Sequence, residues 1–402
     1  MTDTTAALPE RTGSLTDLRV VDLSRVLAGP LCGQMLADHG ADVIKVEPPA
    51  GDETRGWGPP FVRPGHSAYF DGLNRGKRNI CVDLRADEGQ ALLRRLLADA
   101  DVVIENFKAG TLARWGLSDE VLAAEFPRLV HVRITGYGVD GPLGGAPGYD
   151  AGLQALSGLM SVNGEADGPA MRVGIPLVDI ITSLNAMAGV LMALHARERT
   201  GRGQLVDLAL LDNAVSVLHP HTGKWFATGE TPQRTGVAHP TICPYETFTC
   251  ADGPFFIGAG NDRQFRSLVA ALGAGHLAED ERYVTNADRL AHAAELRAEL
   301  GAIVGRWRRA ELAESCRAAG VPAGAVNTVG EALNLPQVLH REMVVEREGY
   351  RGVGIPIKLG ETPGAVRFGP RDRGADTDAI LADLGITAEQ AAALRAAGVL
   401  AG

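Results

Sequence analysis

The sequence predicts an α/β fold in which a mostly parallel sheet is built from strands that alternate with helices. Short apolar strand-like runs recur through the first half of the chain, helical segments separate them, and Gly- and Pro-containing loops connect them. The chain has 402 residues, of which 45% are hydrophobic, 50 are glycine and 22 are proline. Strands that alternate with helices favour a parallel sheet, because parallel neighbours need a crossover connection.

The predicted strands share a short apolar run bounded by polar or loop residues. They are residues 18–23, 42–47, 79–84, 101–107, 129–135 and 204–210. The segment between the first two is helical and ends at Gly40, a residue type that often terminates helices. A longer apolar run covers residues 180–194, and its polar Thr182, Ser183 and Asn185 indicate a buried helix rather than a membrane span.

The chain divides by composition into a tail and two domains. Residues 1–15 are polar and lack the apolar core of a signal peptide, so we expect a disordered tail. Residues 16–230 form the large domain and residues 231–330 a smaller one, with a hairpin that turns at Asp252-Gly253. The remainder, 331–402, has two strand-like pieces, MVVERE and GIPIKL, and short helices.

The net charge and the cysteine content indicate which partners and which cellular compartment to expect. The formal charge is −10 and the sequence has no long basic run, so nucleic acid is not an expected partner. The five cysteines are scattered without C-x-x-C pairs, which is typical of reduced thiols in a cytoplasmic protein.

Several common catalytic motifs are missing from the sequence. The first strand is followed by SRVLAGPLCG, which lacks the G-x-G-x-x-G of a dinucleotide site. A P-loop and a G-x-S-x-G nucleophile turn are also missing, and the ten histidines are scattered without metal-ligand spacing. The reaction type that remains is one carried out by a carboxylate side chain without a metal.

Asp179 is the leading candidate for that chemistry. It stands in RVGIPLVDIITSLN, among apolar residues at the start of the long helix. Such a carboxylate is often only a helix cap. The functional alternative is a poorly solvated nucleophile that attacks an activated acyl carbon. Tyr149-Asp150 is a second candidate with the same two interpretations, and Lys108, Arg114 and Arg133 are basic residues near predicted strand ends.

A set of segments in fixed order then identifies a family. They are LAGPLCGQMLADHGADVIKVE, NRGKRNICVDL, DVVIENFKAGTLARWGL, ITGYGVDGP, PGYDAGLQALSGLM, VGIPLVDIITSL and ERTGRGQLVDLALLD. Together they resemble the class III CoA-transferases, also called the formyl-CoA transferase or carnitine CoA-transferase family. The resemblance covers nearly the whole chain from residue 18 onwards.

The resemblance implies roles for particular residues. The family's nucleophilic aspartate falls on Asp179. Tyr149 and Arg172 are candidate substrate-binding residues, Arg172 or another nearby base being the expected partner of a distal carboxylate, and both fall near the expected acyl-binding region. The segments that contact CoA fall on Val26, Leu27, Ala28, Leu84, Arg85, Asn106, Phe107, Lys108, Arg114, Gly136 and Tyr137. Basic side chains among them would meet the phosphates of CoA.

The sequence departs from formyl-CoA transferase at a few of these places. Arg25 and Leu27 replace a histidine and a glutamine, and Pro48 replaces an arginine, so formyl-CoA and oxalate are poor substrate predictions. The mobile glycine-rich loop of that enzyme has only a short candidate here, GAGN at residues 258–261. The segment 148–174 looks most like members that use succinyl-CoA and dicarboxylic acids.

The family fold implies a Rossmann-like large domain, a smaller α+β domain and a C-terminal segment, 331–402, that returns to the large domain. It also implies a homodimer of interlocked rings. The expected reaction moves CoA from an acyl-CoA to an acid through an aspartyl anhydride and an aspartyl-CoA thioester. No permanently bound cofactor is required, since CoA and acyl-CoA are the substrates.

Two other functions fit the same chain. An α-methylacyl-CoA racemase of this fold uses a histidine where this sequence has Tyr149, and a phenol with a pKa of about 10 is a poorer exchange base at neutral pH. A non-catalytic acyl-CoA-binding protein would bind the thioester and form no covalent adduct.

Overall fold

The computed structural model describes residues 8–347 and 349–401. The strands, in chain order, are β1 (Arg19–Asp22), β2 (Asp42–Glu47), β3 (Phe61–Arg63), β4 (His66–Ser67), β5 (Lys77–Val82), β6 (Val102–Glu105), β7 (Val130–Thr135), β8 (Leu205–Ala209), β9 (Tyr245–Cys250), β10 (Gly253–Gly258), β11 (Ala323–Ala325), β12 (Val344–Arg347), β13 (Tyr350–Val353) and β14 (Leu400–Ala401).

Helices surround and connect these strands. They are α1 (Ala28–Asp38), α2 (Ala68–Asp71), α3 (Asp87–Ala98), α4 (Thr111–Arg114), α5 (Asp119–Glu125), α6 (Asp150–Leu156), α7 (Leu159–Val162), α8 (Leu177–Thr200), α9 (Leu210–Ser216), α10 (His221–Thr228), α11 (Asp262–Ala271), α12 (Asn286–Ala291), α13 (Ala293–Val304), α14 (Arg309–Ala318), α15 (Val329–Leu333), α16 (Pro336–His340), α17 (Thr377–Asp383) and α18 (Ala388–Ala396).

A seven-stranded sheet organises the larger part of the chain. Its order is β14-β5-β2-β1-β6-β7-β8. Every pair from β5 to β8 is parallel, and β14 is antiparallel to β5 at the edge. The central strands are buried on both faces, as expected when helices cover both sides of a parallel sheet. The predicted α/β class with a mostly parallel sheet is confirmed.

The chain forms two compact units, neither of which is a simple consecutive segment. The first comprises Met1–Gly158, Val173–His219 and Pro336–Gly402, and the second comprises Leu159–Arg172 and Pro220–Leu335. The second unit is thus larger than the predicted 231–330 and includes a short piece from before α8. Residues 1–7 of the predicted tail lie outside the described residues. Leu15, by contrast, belongs to the fold, because its N–H donates to His39 O at 2.9 Å.

Two apolar layers fill the first unit, one on each face of the sheet. One layer includes Leu92, Leu96 and Val103, and the other includes Val43, Val132 and Val190. Helix α8 belongs to the second layer, where it packs beside α1. By length and hydropathy alone α8 would also pass as a membrane span, which is weak evidence because core helices of soluble proteins pass the same test.

One face of α8 differs from the prediction of a buried helix. Leu184, Leu191 and Met192 are 50%, 41% and 70% exposed, whereas Ala186 and Val190 are fully buried. The apolar run in the sequence therefore combines a face that packs on the sheet with an apolar face that is open in the single chain.

The second unit has its own core around the antiparallel sheet β9-β10-β11. The predicted hairpin is present, but Cys250 pairs with Gly253, so its two-residue loop is Ala251-Asp252, one position earlier than predicted. The GAGN segment is not an open loop: Gly258 ends β10, Ala259 is fully buried, and Asn261 caps α11.

The two strand-like pieces near the C-terminus had different outcomes. MVVERE contains β12, which pairs with β13. GIPIKL, residues 354–359, forms no strand, and Pro356 in its middle cannot donate to a ladder.

Candidate active site

A cleft opens in the first unit at the carboxyl ends of β1, β6 and β7, where open α/β sheets commonly bind ligands. It is lined by the turn after β1, the loop after β6, the end of β7 and the starts of α8 and α9. The lining residues are Arg25, Val26, Leu27, Ala28, Glu53, Asn106, Phe107, Lys108, Ala109, Ile134, Thr135, Gly136, Gly145, Ala146, Pro147, Gly148, Tyr149, Asp179 and Leu210.

Asp179 is the third residue of α8 and does not cap the helix. The residue before the helix is Pro176, which has no capping side chain. The cap comes from Asp150 of α6 instead, whose Oδ2 accepts from the N–H of Val178 at 2.7 Å and of Asp179 at 3.2 Å. The capping interpretation of Asp179 was therefore wrong, and the same interpretation of Asp150 was correct, although the helix it caps is a different one.

Asp150 is itself held by a buried amide. Gln154 Nε2 donates to Asp150 Oδ1 at 2.6 Å, and Gln154 is fully buried. Gln154 Oε1 also accepts from the N–H of Val173 at 2.8 Å, just before α8. The first turn of α8, which carries Asp179, is thereby fixed to α6.

The half-buried Asp179 carboxyl lies in unusual electrostatic surroundings. Burial, and then the nearby carboxylate of Asp150, raise the pKa of Asp179 to about 7. Tyr69 of α2 belongs to the same surroundings, because burial and the charges of Asp179, Asp150 and Asp52 raise the pKa of its phenol to about 12. A carboxyl whose pKa lies near neutrality is uncommon and is a recognised mark of functional sites.

The turn after β1 forms one wall of the cleft and is tightly bonded. Asn106 Oδ1 accepts from the Arg25 N–H at 2.9 Å, and Asn106 Nδ2 donates to Arg25 O at 2.7 Å. Val26, the next residue, has φ of +69°. A β-branched residue in this left-handed region is strained, and such strain often occurs at binding sites.

The structure brings most of the predicted site residues together. Those that line the cleft with Asp179 are Val26, Leu27, Ala28, Asn106, Phe107, Lys108, Gly136 and Tyr149. The Tyr149 side chain is 67% exposed at the start of α6.

Five predicted residues lie outside the cleft lining. Leu84 is buried in the core, and exposed Arg85 pairs with Asp83. Arg114 ends α4 and Tyr137 packs against the sheet layer that contains Val190. Arg172 is exposed and belongs to the second unit. Arg133, noted as a basic group near a strand end, forms ion pairs with Asp119 and Asp207.

Sequence reasoning missed Tyr69, Glu53 and the role of Gln154. Tyr69 and Glu53 stand in none of the family segments, and Gln154, although it lies within PGYDAGLQALSGLM, shows its role only through its contacts with Asp150 and Val173. Among the described residues, no group of three or more His, Cys, Asp or Glu side chains is arranged to hold a metal ion.

Comparison with known proteins gives the class of enzyme. The sequence profile of CoA-transferase family III matches residues 15–377. The chain is 45% identical to a succinate–glutarate CoA-transferase from Agrobacterium fabrum, over 89% of this chain and 92% of that protein. It is 40% identical to an acetyl-CoA:oxalate CoA-transferase from Acetobacter aceti, over 92% of this chain and 96% of that protein.

A solved structure agrees with the sequence comparison. A CAIB/BAIF family protein from Brucella suis superposes with a TM-score of 0.85 at 44% identity, covering 93% of this chain and all of that one. The chain belongs to CoA-transferase family III. It is an enzyme of that class, and the family resemblance seen in the sequence is confirmed.

Proposed function

We propose that Asp179 carries first the acyl group and then CoA during transfer. The observation that carries this proposal is the shared cleft: the Asp179 carboxyl lies with the segments that the family resemblance assigns to CoA. Its poor solvation is consistent with this role, since a weakly hydrated carboxylate is a better nucleophile.

The reaction begins when an Asp179 oxygen attacks the carbonyl carbon of the donor thioester. The C–S bond breaks, CoA leaves as a thiolate, and a mixed anhydride forms. The thiolate attacks the aspartyl carbonyl of this anhydride, which releases the donor acid and leaves an aspartyl-CoA thioester. The acceptor carboxylate then attacks that thioester and expels the thiolate. The thiolate finally attacks the acceptor carbonyl, which yields the new acyl-CoA and restores the Asp179 carboxylate.

This sequence of exchanges needs no net proton and no external energy. An acyl bond to sulfur or oxygen is exchanged in every step, so neither ATP nor a redox partner is consumed. What the protein must supply is an ionised Asp179, a fixed position for the thiolate, and N–H donors for the oxyanions.

We further propose succinyl-CoA and dicarboxylic acids as substrates. Support comes from the segment 148–174 of the sequence and from relatives that are named for such activities, among them a succinate–glutarate and a succinyl-CoA:mesaconate CoA-transferase. Within the cleft, Arg25 and Lys108 are cationic. Cationic side chains pair with carboxylates and with phosphates, so both residues suit the binding of the acid and of CoA.

The assembly and location are proposals as well. A homodimer is supported by the open apolar face of α8, whose Leu191 and Met192 would be costly to leave in water. A Rossmann-like description of the first unit is supported by its strand order, which follows the doubly wound pattern from β5 to β8. A cytoplasmic location is supported by five free and buried cysteines.

Trapping tests the mechanism directly. The wild-type enzyme is mixed with succinyl-CoA, quenched and measured by intact mass spectrometry, with and without hydroxylamine. We expect a CoA adduct that hydroxylamine removes and that maps to the peptide containing Asp179. Asp179→Ala and Asp179→Asn should lose the adduct and more than about 10³-fold of turnover while keeping CoA affinity. An adduct on another residue, or turnover that survives, contradicts the proposal.

A panel of acids tests the substrate class. Succinyl-CoA is offered with glutarate, mesaconate, oxalate, acetate and carnitine, and the new thioesters are read by mass spectrometry. Dicarboxylates of four or five carbons should be preferred by about tenfold or more in kcat/KM, since a second charged contact contributes about 1.5–3 kcal/mol. Equal rates with acetate would contradict the dicarboxylate preference and leave the transferase class intact.

A further inference from the structure

Two fully buried lysines lie beneath the turn that joins β1 to α1. Lys45 of β2 is 1% exposed and Lys77 of β5 is 2% exposed. Lys45 Nζ donates to the backbone O of Ser24 at 2.9 Å, and Lys77 Nζ donates to the backbone O of Pro30 at 2.7 Å. The two ammonium groups therefore hold both ends of the segment that forms one wall of the cleft.

Carboxylates neutralise both lysines. Asp52 Oδ2 lies 3.0 Å from Lys45 Nζ, and Asp22 Oδ2 lies 2.8 Å from Lys77 Nζ. Asp52 is also anchored, because its Oδ1 accepts from the N–H of Thr54 at 3.0 Å. The lysine ammonium groups are thus fixed in position and cannot swing out to solvent.

The turn above them needs such support. Val26 has φ of +69°, a conformation that costs a β-branched residue energy and that relaxes unless neighbouring atoms prevent it. On one side, Lys45 fixes the carbonyl of Ser24. Asn106 fixes both polar atoms of the Arg25 backbone. The strained residue thus follows two residues whose backbone is held by β2 and by the loop after β6.

Stability alone does not account for a buried lysine at this place. Replacing a buried ion pair by apolar residues of similar volume is often neutral or stabilising. What an apolar residue at position 45 could not provide is the hydrogen bond to Ser24 O. That bond links the pair directly to the turn that forms the cleft wall.

We propose that Lys45 is a positioning residue for CoA binding, which fixes Ser24 O and thereby maintains the strained turn at Val26 in its ligand-ready form. Lys45 touches no substrate in this account and acts through Val26, Leu27 and Ala28, which line the cleft with Asp179. The inference rests on the proposed CoA site. Its readout is CoA affinity and does not depend on Asp179 chemistry.

The test uses the full-length protein and calorimetric titration with CoA. Lys45→Met alone leaves Asp52 buried without its partner, so the principal variant is Lys45→Met/Asp52→Asn, in which both charges are removed. Its matched control is Arg75→Met/Asp38→Asn. That pair is also buried, with an N–O distance of 2.7 Å, and among the described residues its further side-chain hydrogen bonds go to Tyr350 and Val353, away from the turn. Thermal unfolding is recorded for every variant.

We expect the Lys45 variant to bind CoA about tenfold or more weakly, because the strained turn relaxes without its support, and the Arg75 control to stay within about threefold of wild type. Both pairs are then introduced into Val26→Gly, since glycine adopts positive φ without strain. The loss of CoA affinity caused by Lys45→Met/Asp52→Asn should be at least about threefold smaller in the Val26→Gly protein than in the protein that keeps Val26.

Three results would overturn the proposal: unchanged CoA affinity, an equal loss in the Arg75 control, or an equal loss in both backgrounds at position 26. If the Lys45 variant fails to fold, Val26→Gly must restore its folding, and failure to do so also overturns it. CoA transfer by wild type and Asp179→Ala, measured alongside, reports on the Asp179 mechanism alone, so the two proposals can fail separately.

Discussion

Asp150 Oδ2 accepts a hydrogen bond from the backbone N–H of Asp179 at 3.2 Å, so one carboxylate fixes the backbone of the residue whose own carboxyl it repels. Asp150 therefore has two separate effects on Asp179, one on the position of its backbone and one on the charge of its carboxyl. The capping bond places Asp179 in the first turn of α8, where a helix favours negative charge. The repulsion, added to burial, keeps the carboxyl partly protonated near neutral pH.

The first prediction concerns the pH dependence of turnover. The proposed nucleophile is the ionised carboxylate, and burial with Asp150 raises the pKa of Asp179 to about 7. Activity should therefore rise with pH through about 7 and level off above it. The kcat/KM for succinyl-CoA, measured from pH 5 to 9 in buffers of constant ionic strength, checks this. A profile that is flat down to pH 5 would contradict the raised pKa in the working enzyme.

Asp150→Asn should shift this profile to lower pH. The substitution removes the charge that adds to the pKa of Asp179 and keeps an oxygen that can cap α8. Because burial is the larger cause, the pKa of Asp179 should remain above that of an ordinary aspartate. Asp207→Asn, a carboxylate of β8 that pairs with Arg133, is the control and should leave the profile unchanged. Identical profiles for wild type and Asp150→Asn would disprove the coupling.

Removing the Asp179 carboxyl should stabilise the fold at neutral and alkaline pH. The folded-state pKa of Asp179 lies above the unfolded value, so the folded state binds more protons and loses stability as pH rises from about 4 to about 7. Asp179→Asn cannot ionise and escapes this loss. Its Tm should exceed the wild-type Tm by roughly 1–3 °C at pH 8, with a smaller gap at pH 5. Scanning fluorimetry checks this, and a gap that widens towards acid pH would contradict it.

Asn106 should contribute to acyl-CoA binding through the Arg25 backbone. Asn106→Ala removes the hydrogen bonds to the N–H and the C=O of Arg25. It should raise the KM for acyl-CoA by about five- to tenfold, as expected for two neutral hydrogen bonds. Asn261→Ala, which removes the cap of α11 in the second unit, serves as the control and should change KM little. Steady-state kinetics at saturating acceptor distinguishes them. Equal KM values for wild type and Asn106→Ala would show that acyl-CoA binding does not depend on the hydrogen bonds between Asn106 and the Arg25 backbone.

The open face of α8 should be required for assembly. Met192 is 70% exposed and Leu191 is 41% exposed, so Met192→Asp would place a charge in any interface formed there. Light scattering after size-exclusion chromatography should show the dimer for wild type and for Met192→Leu, and a smaller species for Met192→Asp. A dimer that persists in Met192→Asp would place the interface elsewhere.

Much of the sheet could be predicted because its strands are rich in Val and Ile. Residues 42–47 and 130–135 form strands within one residue of the prediction, and both contain the β-branched residues that are typical of strands covered on both faces. GIPIKL shares that composition and forms no strand. Apolar content alone did not distinguish the two, and only Pro356 indicated the difference.

The site was predicted only in part, because its parts converge in three dimensions from distant segments. Asp179 could be singled out as an acidic residue in apolar surroundings. The cap that Asp150 provides from 29 residues earlier could not be predicted, since it depends on how α6 packs against the start of α8. Tyr69 lies outside the family segments and Lys45 lies within one, but the contacts of both side chains are encoded by no local pattern.

Strand β14 has a consequence for biosynthesis. Leu400 and Ala401 pair with β5 at the edge of a sheet that begins at Arg19, so the first unit cannot be completed until residues 400–401 have left the ribosome. The second unit lies wholly upstream of Pro336 and can fold while translation continues. Nascent chains stalled where residue 336 has left the ribosome and β14 has not should therefore protect the second unit from protease while the first remains open to cleavage.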